Sequence, residues 1–373
     1  MVADRVRMDA YAEALRRTVR PGCTVLDIGT GFGIHALLAC QLGAGRVYAV
    51  EPSPAIQAAR ELASANGFGA RIEFIQGLST RLEPRERADV IVSDLRGALP
   101  PHKQHIPSLV DARNRLLAPG GVLIPKRDDL FVAVVGAERA YRAQCRPWGE
   151  DDHDLDMRPL ERRFVNRWGD LGDDRGATLT PGAPWASLDY GTVTTPHVRG
   201  EARWTLEQSG IGRGLRVWFD ATLIDGVRFS TGPGQVETIY GTSFLPWLEP
   251  VPLSPGDEVS VEIRADLVGE DYTWTWNTQV FDGGAAGRPK AQFRQSTFLG
   301  QLLSPEALRR LLPDHVPTLK EEGRLLRFVL DQMDSGLSLQ TIARALCQRH
   351  PSSVVDENAA LERVRDISAR YGA

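Results

Sequence analysis

The sequence predicts an α/β protein: a parallel sheet covered by helices, then antiparallel barrel-like β structure, then a helical C-terminal part. Three observations predict this. Residues 1–130 alternate continuously apolar, strand-length runs with helical periods, the pattern of a sheet buried on both faces. From about 131 to 297 apolar and polar residues alternate, aromatics are frequent, and turn signals such as GPG and SPGDE intervene, as in antiparallel strands. After 298 the apolar residues return to a helical spacing. A chain of 373 residues is long enough for two or three cores, and these changes of texture divide it into 1–130, 131–297 and 298–373.

In the first region a helix over 8–19 precedes the strand TVLDIG, and GFGIHALLACQLG is helical in period. RVYAVEPS is a second strand and PAIQAARELASANG a helix with a Gly stop; RIEFIQG and ADVIVSD follow as strands, then a helix around 107–117 and the strand GGVLIP. The second region offers the strands DLFVAVVGAE, RWTLEQ, LRVWFDATL, QVETIYGTSF, EVSVEIRADL and DYTWTWNTQVF. Inside it, 146–185 is polar and rich in Asp, Arg and Gly, and reads either as loop or as an excursion that packs on another subunit. In the third region Leu319, Leu325, Leu326, Val329, Leu330 and Met333 make an apolar stripe, Ser338 caps the next helix, and a last helix spans 357–370.

Composition narrows the function classes. A net charge of −4 argues against a general nucleic-acid binder. Cys23, Cys40, Cys145 and Cys347 are isolated, with no ligand cluster near them, so no metal site is expected and reduced thiols in a cytoplasmic protein are. No apolar run approaches the ~20 residues that span a bilayer, and the charged N-terminus lacks the apolar centre of a signal peptide.

VLDIGTGFG carries the most chemistry. Gly29, Gly31 and Gly33 follow a strand and open a helix, so backbone N–H groups can approach a bound ligand. Asp27 ends the first strand and Glu51 the second, where a carboxylate can accept both hydroxyls of a ribose. A dinucleotide site keeps its first turn free of acid because a pyrophosphate lies there. A carboxylate beside the turn suits a ligand with an amino group and no phosphate, and S-adenosyl-L-methionine meets that description. A nicotinamide cofactor, or a turn with no ligand, are the other readings.

The chain resembles the protein arginine methyltransferases. The resemblance rests on MVADRVRMDAY, with Asp4, Arg7 and Tyr11 in matching places, then on VLDIGTGFG, VYAVEPS, VIVSD, LLAPGGVLIP, GLRVWFDATL and PVPLSPGDEV in order, covering about 1–285. It implies a Rossmann-like methyltransferase domain followed by a β-barrel-like domain. It also implies that Arg7 meets the carboxylate of S-adenosylmethionine, Asp27 and the Gly turn its amino end, Glu51 the ribose, and Leu78, Ser79 and Thr80 the adenine edge. A dimer formed through 146–185 is implied as well.

The loop SDLRGALPPHKQHI departs from the family. The family grips a substrate guanidinium between two glutamates; here the first position is Asp94, and the second falls at or near Lys103, whose charge would repel a guanidinium. The family's Thr-His-Trp turn reads Thr238-Ile239-Tyr240. Methyl transfer needs in-line placement and a route for a proton, so Asp94 is expected to orient the acceptor, with His102 or His105 as base.

The tail resembles small winged-helix domains that hold leader peptides; a plain helical cap is the alternative. Its eight basic and eight acidic residues from Thr318 onwards argue against DNA binding. The expected function is therefore an S-adenosylmethionine-dependent methyltransferase of a protein or peptide. Methylation of a small molecule or a non-arginine side chain, and a non-catalytic cofactor-binding protein, are the rivals.

Overall fold

The computed structural model describes residues 2–149, 154–172, 174, 178–283, 289–351 and 354–372. Parts of the expected excursion, 150–153, 173 and 175–177, lie outside the described residues.

Helix α1 (Arg5–Thr18) starts where Asp4 accepts the Arg7 N–H, and it buries Tyr11, Ala14 and Leu15. Then follow β1 (Thr24–Ile28), α2 (Ile34–Gln41), β2 (Arg46–Val50), α3 (Ala55–Ala65), β3 (Ile72–Ile75), β4 (Ala88–Ser93), α4 (His105–Asp111, continued by a wider turn over Ala112–Leu116) and β5 (Leu117–Ile124). The five strands pair in parallel in the order β3-β2-β1-β4-β5. Every residue of β1 is buried, as the continuous apolar run requires of a strand covered on both faces. The order reverses between β1 and β4, and in such sheets the crevice at the carboxyl ends of those strands receives the ligand.

Antiparallel structure begins at β6 (Arg127–Val135). Two short helices, α5 (Glu138–Cys145) and α6 (Arg158–Phe164), lead to β7 (Gly169–Asp170), β8 (Ala183–Asp189), β9 (Val198–Thr205), β10 (Gly210–Ile224), β11 (Val227–Ser230), β12 (Ser243–Leu253), β13 (Glu258–Val268), β14 (Asp271–Phe281) and β15 (Ala291–Ser296). One sheet runs β7-β12-β10-β6-β8 with β11 beside β10; the other runs β15-β14-β13-β9. Alternation is clean in β14, where Tyr272, Trp274, Trp276, Thr278 and Val280 are buried. Their core joins the sheets through aromatic contacts: Trp185 meets Trp274 edge-on, and Trp276 Nε1 donates to the Pro246 carbonyl at 3.0 Å.

Two sequence expectations change here. QVETIYGTSF is not a strand: residues 235–242 form a loop, and β12 begins only at Ser243. Tertiary bonds override its β-like composition, since Asp4 accepts the Ile239 N–H at 2.8 Å and Tyr240 reaches a buried carboxylate. The stretch 146–185, read as loop or excursion, contains α6, β7 and the start of β8.

The chain divides into two compact units, Met1–Gln301 and Leu302–Ala373, so both sheet systems belong to one unit. Among the described residues the second unit holds helices and no strand: α7 (Pro305–Arg309), α8 (Glu321–Asp334), α9 (Leu339–Arg349) and α10 (Glu357–Tyr371). Leu325, Val329, Ile342, Leu346, Val364 and Ile367 form its core. Leu319, counted in the stripe, is exposed just before α8 begins. Ser338 caps α9 by accepting the Thr341 N–H.

Candidate active site

The crevice is built on the ends of β1, β2 and β4. After β1 the chain turns through Gly29, Gly31 and Gly33, with φ of 73°, 54° and 81°, a left-handed conformation that strains any residue with a Cβ. Gly29 is crowded too: a Cβ there would run into the Leu95 side chain from the loop after β4. Asp27 is 1% exposed; its Oδ2 accepts the Thr30 hydroxyl and the Ala36 N–H, while Oδ1 has no hydrogen-bond partner among the described residues, His35 Nδ1 lying 3.9 Å away. A buried carboxylate oxygen without a donor is costly unless a ligand supplies one. An amino group would do so, and the donor set therefore fits S-adenosylmethionine.

Glu51 leaves β2 half-buried, its carboxylate accepting the Gly31 N–H at 3.1 Å and the Ser53 N–H at 3.0 Å. Gly77 donates its N–H to the Glu51 carbonyl at 3.2 Å, which brings the next turn alongside. There Ser79 is buried and Leu78 and Thr80 are exposed. Arg115 steadies this turn by donating to the Ser79 carbonyl at 2.8 Å. The structure thus gathers Asp27, the three glycines, Glu51 and the 78–80 turn around one crevice.

Asp94 follows β4, and the pairing of Ile28 with Ser93 sets it beside the glycine turn. It is buried and fully engaged. Oδ2 takes the Arg7 Nε–H; Oδ1 accepts from Arg96 Nη1 at 3.3 Å; the Tyr240 hydroxyl lies 2.7 and 2.8 Å from the two oxygens. Burial pushes this carboxyl up, but Arg96, Arg7 and the Tyr240 bond outweigh it and hold the pKa below the usual range. Asp94 is therefore a fixed anion at neutral pH. Arg7, expected to hold a cofactor carboxylate, is first of all a partner of Asp94.

His105, expected as a base, is corrected by its surroundings. It is 1% exposed on α4, with Nε2 3.0 Å from the Tyr190 hydroxyl. Burial and the nearby Arg96 charge push its pKa down to about 3, so it is a neutral packing residue. His102 is half-buried, its ring pressed against Gly97, and burial with the Lys103 charge lowers its pKa against the pull of Asp271. Lys103 is exposed at φ 40°.

Sequence reasoning missed Arg96, Asp128 and Tyr190. Arg96 forms a two-pronged bond to Asp128, both contacts 2.8 Å, and the Tyr190 hydroxyl donates to Asp128 at 2.6 Å. One signal was available. Asp128 lies in phase with Leu130, Val132 and Val134, the wholly buried side of β6, where a carboxylate demands a cation. Tyr240 was read only as the residue at the tryptophan place of the Thr-His-Trp turn; here it is a donor to Asp94.

Comparison with known proteins agrees with this architecture. Residues 11–125 match the family model described as ribosomal protein L11 methyltransferase. The chain is 38% identical over 337 residues to protein arginine N-methyltransferase PRMT10 of Arabidopsis thaliana, covering 80% of this chain and 88% of that one. It is 30% identical over 289 residues to protein arginine N-methyltransferase 6 of Xenopus laevis, covering 72% and 81%. Among solved structures, Arabidopsis thaliana protein arginine methyltransferase 10 superposes with a TM-score of 0.66 at 25% identity, over 79% of this chain and 95% of that one. The Trypanosoma brucei PRMT1 enzyme–prozyme complex with AdoHcy shares the fold, with a TM-score of 0.70 at 23% identity over 79% and 95%. With relatives of that similarity over most of both chains, and with this crevice, the chain belongs to the protein arginine N-methyltransferase family and is an S-adenosylmethionine-dependent methyltransferase.

Proposed function

We propose that the chain transfers a methyl group to a side chain or terminus of a protein or peptide, beside Asp94 at the carboxyl end of β4. The observation that carries this is the register of β1 on β4, which sets the turn after Asp27 against Asp94 across the switch point of the sheet. Bound in the crevice, S-adenosylmethionine supplies a methyl group on a positively charged sulfur. Asp27 Oδ1 accepts from the amino group, and Arg7, anchored on Asp94, meets the carboxylate. Glu51 exchanges its backbone donors for ribose hydroxyls. The Ser79 and Thr80 hydroxyls, with the Leu78 side chain, face the adenine edge. Asp94 fixes Arg7 in place, and half-buried His102 is the loop histidine proposed as base.

The domain reading keeps a cofactor-binding region over 1–130, a barrel-like region over 131–297 and a helical region over 298–373. Association of two copies through 146–185 accompanies it, and the C-terminal helices hold a peptide segment of the substrate. No helix among the described residues is long and apolar enough to cross a membrane; a cytoplasmic location is part of the same proposal.

Calorimetry with S-adenosylmethionine tests the crevice. Glu51→Ala removes a charged acceptor and is expected to weaken binding by about 10- to 100-fold. Tritiated methyl transfer into lysate proteins, compared with extracted metabolites, tests the substrate class. Label confined to metabolites would refute a protein or peptide acceptor.

A further inference from the structure

His35 is a polar residue on an otherwise small and apolar buried face. It stands in the first turn of α2, whose other buried residues are Ala36, Ala39 and Cys40. Among the described residues no hydrogen bond reaches its ring, and Nε2 is buried without a partner. Burying an imidazole that makes no bond is costly, so a reason for it is required. The next residue supplies the setting: the Ala36 N–H binds Asp27 Oδ2, which brings α2 and the Asp27 carboxylate together. His35 Nδ1 lies 3.9 Å from Asp27 Oδ1, the carboxylate oxygen that also has no partner among the described residues. Tyr11 holds the ring in this place by stacking on it, the centroids 4.7 Å apart and the planes 23° from parallel. Tyr11 is itself fixed, since its hydroxyl donates to the Ser93 carbonyl at 3.0 Å and accepts from Arg96 Nη1 at 2.7 Å. The Arg7 guanidinium lies over the same phenol ring, 5.4 Å from its centroid. One aromatic ring therefore positions both Arg7 and His35.

A separation of 3.9 Å is too long for a hydrogen bond between the two atoms and suits a donor shared by both. A carboxylate oxygen and the lone pair of a neutral imidazole nitrogen are both acceptors, so the shared group must offer two N–H bonds or more. A hydroxyl has only one hydrogen to give, and an anion none. An ammonium has three, and its single positive charge is matched by the single negative charge of Asp27. The neutral ring then adds a second acceptor without adding a second charge. The amino group of S-adenosylmethionine is such an ammonium, and it shares a carbon with the carboxylate assigned to Arg7. Two ligand groups on one carbon thus correspond to two protein groups on one Tyr11 ring.

We infer that His35 is a cofactor-binding residue: with Asp27 it forms a two-acceptor clamp for the amino group of S-adenosylmethionine, and Tyr11 is the positioning residue that holds its ring. The inference rests on the placement of the cofactor's amino end at Asp27 and adds to it the residue that completes the clamp. Nδ1 accepts one N–H of the ligand and Asp27 Oδ1 another, while Nε2 carries the proton of the neutral ring. The clamp makes the crevice select ligands that carry the amino group over ligands that lack it.

The test is a cycle of calorimetric titrations on the full chain. The parent and His35→Leu are each titrated with S-adenosylhomocysteine, which keeps the amino group, and with its deaminated analogue, in which hydrogen replaces that group. His35→Leu is expected to weaken S-adenosylhomocysteine by about tenfold, the worth of one hydrogen bond to a charged group, and the deaminated analogue by about twofold or less. His35→Asn, whose carboxamide oxygen is again an acceptor near the place of Nδ1, is expected to restore most of the difference. Equal losses for the two ligands in His35→Leu would show a packing role only and overturn the inference. A second measurement needs no variant. In nitrogen NMR spectra of the parent with ring-labelled histidine, one ring signal is expected to move with S-adenosylhomocysteine and to stay in place with the deaminated analogue. Spectra that respond alike to both ligands would also overturn the role of His35. Failure of both ligands to bind the parent would overturn instead the placement of the cofactor at Asp27, and this inference with it.

Discussion

At the scale of single residues, the site is governed by who neutralises whom. Asp128 is wholly buried and carries a two-pronged Arg96 and a Tyr190 hydroxyl. Removing one member of such a group strands the other charge inside the protein, which costs about 3–5 kcal/mol, whereas replacing both by apolar residues is often close to neutral. Asp128→Ala is therefore expected to lower unfolding stability by that amount in a denaturant titration. Arg96→Met with Asp128→Val is expected to recover most of the loss. Equal losses in the single and double variants would show that the pair is not the coupled unit its geometry indicates. The same logic applies to Asp27, whose Oδ1 has no hydrogen-bond donor among the described residues, His35 Nδ1 lying 3.9 Å away. That residue was legible from sequence because its meaning depends only on its place at the end of a strand before a glycine turn.

At the scale of elements, α4 is pinned beneath the loop by His105, and this creates a definite pH dependence. The ordinary histidine value is 6.5 and the folded value about 3. As pH falls through 6.5 the unfolded chain takes up a proton that the folded chain refuses until near pH 3, so stability falls on acidification across that window. One such group contributes about 1.4 kcal/mol per pH unit at most. Asp94 has a lowered pKa as well, and its contribution is lost only below the ordinary carboxyl value of 3.8, so it does not enter the upper part of the histidine window. His105→Gln keeps a partner for Tyr190 and cannot titrate. Between pH 6.5 and 4 its unfolding free energy is expected to fall less steeply than that of the parent, with His102→Gln as the control for the other lowered histidine of the loop. Parallel slopes for parent and His105→Gln would contradict the buried neutral state. Most elements of the parallel sheet were legible because a 3.6 or continuous apolar period survives in the chain. The loop at 235–242 was not, since its aromatic, β-like composition is outvoted by bonds from Asp4 and Asp94, more than a hundred residues away.

At the scale of the whole molecule, the chain divides into two compact units, Met1–Gln301 and Leu302–Ala373. The second has a core of its own from α8, α9 and α10, and all the crevice residues lie in the first. A chain ending at Gln301 is therefore expected to bind S-adenosylmethionine within about threefold of the full chain, as independently folding units allow. A loss beyond tenfold in calorimetry would show that the first unit does not stand alone. Light scattering at micromolar concentration checks the proposed association of two copies, and a monomeric mass would count against it.

What the sequence by itself determined is the order of elements in the parallel sheet and the places of the residues at its strand ends. Asp27, Gly29, Gly31, Gly33 and Glu51 each sit at a strand end or turn, and strand ends and turns are written in local spacing. What only the tertiary structure decided is the charge state and occupancy of the loop after β4. Arg96 with Asp128, Tyr240 with Asp94, and His105 with Tyr190 are pairs set by how one sheet lies against another. No local period announces such pairs, because a side chain's distant partner is chosen by packing and register, and burial then makes the choice binding.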